Sequence, residues 1–123
     1  FPTRRSSDLH EGRETMPFID VKLSCSLTKV QETALKAELG RAISLIPGKS
    51  ESSLMIQFSD CCRLWFGGEN EGPFAFVNVM VLGSADRKFY SDFTDQVIAV
   101  FKKELQIKRI YVKFEEVPNW FWD

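Results

Sequence analysis

Histidine is almost missing from this sequence: its 123 residues include one, His10. Long apolar runs are missing too, and none approaches the roughly 18–20 residues needed to span a bilayer. Neither sign of charge dominates, because 16 Lys and Arg stand against 17 Asp and Glu, for a net charge of −1. That balance excludes the basic footprint of a nucleic-acid binder and the polybasic block that seeks an anionic membrane. Cysteine is scarce and odd in number, with Cys25, Cys61 and Cys62 forming no spaced metal motif. A bond between adjacent Cys61 and Cys62 would be strained, so free thiols in a reducing, cytoplasmic setting are expected. No cofactor or metal is called for. What is abundant is apolar residues, 44% of the chain, enough for one packed domain.

Residues 1–15 read FPTRRSSDLHEGRET, polar and without helical or strand period. Residues 1–9 resemble the conceptual translation of a sequencing adapter, so 1–15 is expected to be a non-native or disordered leader. It is no secretory signal, since no apolar stretch follows Arg4 and Arg5. The domain is then expected over 16–123, opening at Met16. That domain holds no histidine, which excludes a His-based triad, an imidazole switch and a His-ligated zinc site.

Within 16–123 one pattern occurs twice. Residues 17–23 alternate, with Ile19, Val21 and Leu23 on one face, and predict a strand. Thr28 followed by Gln31 is a capping box for a helix along Leu35, Leu39, Ala42, Ile43 and Ile46, stopped by Pro47-Gly48. Residues 54–58 predict a second strand and 63–66 a short third. The second copy runs from a long strand over 73–82 to a helix marked by Phe89, Phe93, Val97, Val100 and Phe101, with Asp86 at its start. Residues 110–114 predict the closing strand, before an aromatic tail at 119–122. Two β-α-β units with right-handed crossovers give an α/β, two-layer sandwich: a four-stranded mixed sheet with both helices on one face. The strand over 73–82 is apolar at both parities except for Asn78, so its second face also needs cover. A second copy of the sheet is the expected cover, and the chain is expected to be an oligomer.

Met16-Pro17-Phe18-Ile19, Gly48-Lys49, Phe66-Gly67-Gly68, Leu82-Gly83 and Arg109-Ile110-Tyr111-Val112 follow one another at characteristic spacing. Together they resemble the macrophage migration inhibitory factor branch of the tautomerase superfamily over essentially all of 16–123. The resemblance implies a homotrimer whose sheets wrap into a barrel. It also implies keto–enol tautomerisation of phenylpyruvate-like and dopachrome-like aromatic substrates, the work of an intramolecular oxidoreductase among the isomerases. Animal members also act as cytokines, so a signalling protein that binds a cell-surface receptor, with weak or no catalysis, is the alternative. Relatives leave cells without a signal peptide.

The resemblance assigns roles to particular residues. Pro17, made N-terminal by removal of Met16, would be the catalytic base. A free α-amino group titrates near 7.7–8.0, and burial or a nearby cation lowers that value, leaving a neutral secondary amine able to move a proton. Lys49 would bind the substrate carboxylate, and Leu82 would line the pocket through its backbone. Tyr111 would reach in from a neighbouring subunit to stack on an aryl group. Lys113 stands where the family has Asn, exchanging a neutral donor and acceptor for a cation. Trp120 and Trp122 would roof the pocket or plug the subunit interface. The Cys-x-x-Cys of the vertebrate cytokine falls on Phe74 and Val77, so thiol–disulfide activity of that kind is not implied.

Overall fold

The computed structural model describes residues 16–123, and the expectations for 1–15, with His10, lie outside the described residues. The order of elements is β1 (Phe18–Leu23), α1 (Lys29–Ile43), a 3-10 turn (Glu51–Ser53), β2 (Met55–Ser59), β3 (Phe74–Leu82), α2 (Arg87–Leu105) and β4 (Arg109–Val117). The four strands form one sheet in the order β2-β1-β3-β4. The β2/β1 and β3/β4 pairs are parallel, and the two units meet through the antiparallel β1/β3 pair. This is the two-layer α/β sandwich that the repeated pattern predicts.

Alternation decides which side of each strand is dry. Ile19, Val21 and Leu23 of β1 and Val77, Val79 and Val81 of β3 are fully buried. They pack with Leu35, Leu39, Ala42 and Ile43 of α1, Ile46 just beyond it, and Phe93, Val97 and Phe101 of α2. Each of these side chains, the small Ala42 apart, contributes on the order of 1.5–3 kcal/mol by leaving water. α1 starts at the predicted capping box: Thr28 Oγ1 accepts from the Gln31 N–H at 3.1 Å, and Gln31 Oε1 accepts from the Thr28 N–H at 3.0 Å. It ends at Ile43, ahead of Pro47-Gly48. Asp86 occupies the N-cap position of α2, but its side chain makes no capping bond. α2 closes on Gln106 in the left-handed region, at φ 54°.

The expected short strand over 63–66 does not form. Phe66 instead exchanges hydrogen bonds with Glu69 across Gly67 and Gly68, both at positive φ, and the result is an isolated bridge. Gly67-Gly68 forms a two-residue turn of the kind that closes hairpins, but pairing stops at this one bridge because the returning chain bends away at Gly72, which is also at positive φ.

The second face of the sheet is banded. Strand register aligns Met55, Phe18, Met80 and Glu115 in one row, Gln57, Asp20, Asn78 and Lys113 in the next, and Ser59, Lys22, Phe76 and Tyr111 in the third. An apolar end and an aromatic end thus flank a polar middle. Asp20 Oδ1 and Asn78 Oδ1 are buried in that middle row without a hydrogen-bond partner within the protomer.

Candidate functional site

Pro17 precedes β1 and is buried. Its carbonyl accepts from the Met55 N–H at 3.1 Å, so the backbone of the proline is tied to β2. Phe18 lies opposite Met80, and one further step brings Pro17 level with Val81, next to Leu82. Lys49 leaves the turn after α1, where its N–H donates to the Ile46 carbonyl at 3.0 Å. Its Nζ donates to the Leu82 carbonyl at 3.0 Å. The half-buried Lys49 ammonium, the end of β3 and Pro17 therefore meet at one end of the sheet. Leu82 pairs with Val117, and Trp120 follows three residues later, within about 10 Å of that end by chain length alone.

Tyr111 and Lys113 are not brought to Pro17 within the protomer. Tyr111 lies opposite Phe76, five positions from Val81 along β3, or about 17 Å. It is 64% exposed, with its ring beside Phe66 at 5.8 Å between centroids. Phe66 in turn contacts Phe74 at 5.9 Å and carries the Arg109 guanidinium over its face at 5.4 Å. Lys113 lies opposite Asn78, three positions from Val81, or about 10 Å. Its Nζ ion-pairs with Glu115 at 2.8 Å, and that hydrogen bond holds the Glu115 carboxyl below its usual range. Trp122 is 39% exposed and Phe121 almost fully exposed.

Two concavities of the protomer surface lie away from Pro17. One of about 830 Å³ runs between α2 and β4 and includes Arg87, Tyr90, Lys113 and Glu116. A smaller one of about 90 Å³ is bounded by Trp65, Phe66, Phe76, Arg109 and Tyr111. The resemblance gave no role to Trp65, Arg109 or Glu115. Only the register of β4, together with the turn at Phe66, shows that Trp65 and Arg109 frame Tyr111. Among the described residues no group of His, Cys, Asp and Glu is placed to hold a metal ion, and no helix is long and apolar enough to cross a membrane.

The family model described as macrophage migration inhibitory factor matches residues 16–122. The chain belongs to the macrophage migration inhibitory factor family. Among solved structures, Leishmania major MIF2 is 30% identical, with a TM-score of 0.81 over 88% of this chain and 94% of that one. The family homologue from Prochlorococcus marinus is 25% identical, with a TM-score of 0.76 over 86% and 95% of the two chains. The family-like protein of Entamoeba histolytica is 23% identical and shares the fold, with a TM-score of 0.77 over 88% and 96%. No curated protein matches in sequence.

Proposed function

We propose that the protein is a keto–enol tautomerase of small aromatic α-keto acids, acting as a homotrimer with Pro17 as its base. The observation that carries this reading is the junction of buried Pro17, the Leu82 carbonyl and the Lys49 ammonium at one end of the sheet. Family membership supports the isomerase class. Distance supports the trimer: Tyr111 is too far from Pro17 to serve the same site in one protomer, so a neighbouring copy would deliver it.

Chemistry sets a condition on Pro17. While it is acylated by Met16, its nitrogen is an amide without a basic lone pair. Once Met16 begins the translated chain and is removed, Pro17 becomes a secondary amine in an apolar setting beside a cation. Both features disfavour its ammonium form and lower its pKa from that of an exposed N-terminal proline. The neutral amine takes a proton from the carbon between the aryl ring and the carbonyl of phenylpyruvate. The electron pair moves onto the carbonyl oxygen, which is protonated to give the enol, and the reverse path returns the proton to carbon. No oxidant or cofactor enters the balance. Lys49 would hold the carboxylate of the substrate, and the aromatic wall around Tyr111 would take its ring.

The test is the tautomerisation rate of phenylpyruvate with protein expressed from Met16, its intact mass showing that Met16 is gone. Turnover is expected to collapse in Pro17→Gly and, through KM, to fall about tenfold or more in Lys49→Ala, a loss of about 1.4 kcal/mol of binding. A folded trimer with free Pro17 and no turnover would overturn the reading in favour of a receptor-binding protein.

A further inference from the structure

The proposed site uses none of the three cysteines, yet the fold gathers all of them at the other end of the sheet. β1 and β2 run parallel and leave the sheet together, one toward Cys25 and the other toward Cys61 and Cys62. Continuing the register that pairs Lys22 with Ser59 would give the Leu23 carbonyl to Cys61. It goes instead to Cys62, whose N–H donates at 2.8 Å, while the Cys61 N–H turns onto the Cys25 carbonyl at 3.0 Å. Cys61 adopts φ 57° to do so, a left-handed conformation uncommon outside glycine. This bulge sets Cys61 against Cys25.

Backbones joined by such a bond hold their Cα atoms about 5–6 Å apart, inside the roughly 4.4–6.8 Å span of a disulfide. Cys62 is a poorer partner, for its Sγ already donates to the Ser59 carbonyl at 3.3 Å. Access divides the other two: Cys61 is exposed and Cys25 is half-buried. We propose that Cys25 and Cys61 are a peroxide-oxidisable dithiol, a modification site that closes into a disulfide across the ends of β1 and β2.

Exposed Cys61 meets the hydroperoxide first. Its thiolate attacks one peroxide oxygen, the O–O bond breaks, and the other oxygen leaves as water or an alcohol, giving a sulfenic acid. The Cys25 thiolate then attacks the Cys61 sulfur, the S–S bond forms, and hydroxide departs to take up a proton as water. Two thiols lose two electrons and two protons, and the peroxide is reduced. Burial pushes the Cys25 thiol up, with Cys61 and Asp60 adding to the effect, so Cys25 holds less thiolate and the first attack on peroxide falls to exposed Cys61.

Closure would also stiffen the aromatic end of the sheet. Ser24, beside Cys25, exchanges bonds with Phe74: its N–H donates to the Phe74 carbonyl at 3.0 Å, and its Oγ accepts from the Phe74 N–H at 2.8 Å. Phe74 contacts Phe66, which contacts Tyr111.

The experiment treats the purified protein with hydrogen peroxide and reads intact mass and non-reduced peptides. Expected is a loss of about 2 Da per chain, a linked Cys25–Cys61 peptide pair, and reversal by a dithiol reductant. The bond should persist in Cys62→Ser and vanish in Cys25→Ser and Cys61→Ser. Fragmentation of the wild-type linked peptides between Cys61 and Cys62 assigns the bond even where a variant folds poorly. Linkage of Cys25 to Cys62, linkage of Cys61 to Cys62, linkage between chains, oxygen gain without a disulfide, or no reaction would each overturn the proposal.

Discussion

Tyr90 stacks on Phe114 with ring centroids 4.4 Å apart, and its hydroxyl donates to Glu116 Oε2 at 2.6 Å. Burial of the phenol, then the hydrogen bond and the negative charge of Glu116, push its pKa up to about 12 from an ordinary value near 10. The sign of the stability effect follows from proton counts. Between those two values the unfolded chain has lost the phenolic proton and the folded chain keeps it, so alkali favours unfolding. The contribution is fully present below about pH 10 and is lost as pH rises through about 12. The expected outcome is a Tm that falls across this alkaline window in the wild type and falls less in Tyr90→Phe. Absorbance of tyrosinate in Tyr111→Phe, where Tyr90 is the one remaining tyrosine, checks the titration directly. A midpoint near 10 there would refute the role given to burial and Glu116.

Elements show what the order of residues can and cannot say. α1 was legible because its signals are local: a cap, a helical period and a Pro-Gly stop lie on one stretch of chain. The capping box carries a prediction. Thr28→Ala removes the acceptor for the Gln31 N–H and is expected to cost about 1 kcal/mol, lowering Tm by about 4 °C in a thermal melt. Gln31→Ala should cost less, because it leaves the Thr28 oxygen in place. The stretch 63–66 misled because its alternation is strand-like, while the chain returning from the Gly67-Gly68 turn bends at Gly72 and offers it no partner beyond Glu69. The banding of the second face was illegible for another reason. Asn78 alone marks β3 as polar, and the row it joins is made by Gln57, Asp20 and Lys113 from three other strands, which only register brings into line. The site divides the same way. Pro17, Lys49 and Leu82 could be marked from the family pattern, but the contact of Lys49 with the Leu82 carbonyl needs the fold.

At the scale of the whole molecule, two observations point outward from the protomer. Asp20 Oδ1 and Asn78 Oδ1 sit opposite each other across β1 and β3, buried and unpartnered within the chain. Each orphaned acceptor costs roughly 1–3 kcal/mol until a donor meets it, and a second sheet packed on this face could bring one. The other observation is the separation of Pro17 from Tyr111 by about 17 Å along the sheet. A site that needs both must be assembled from two copies, and that makes a sharp prediction. Trimers made wholly of Pro17→Gly chains lack the base, and trimers made wholly of Tyr111→Ala chains lack the aromatic wall, so both are expected to be weak tautomerases. Co-expressed and purified as mixed trimers, they should regain activity, because an intact Pro17 on one chain can face an intact Tyr111 on the next. At least one complete junction forms in each mixed trimer, so about a third of the wild-type rate per trimer is expected from geometry alone. If mixing restored nothing while native mass spectrometry showed mixed trimers, Pro17 and Tyr111 would not share a site across the interface. The assembly would then serve the stability of the sheet face rather than the chemistry at its end.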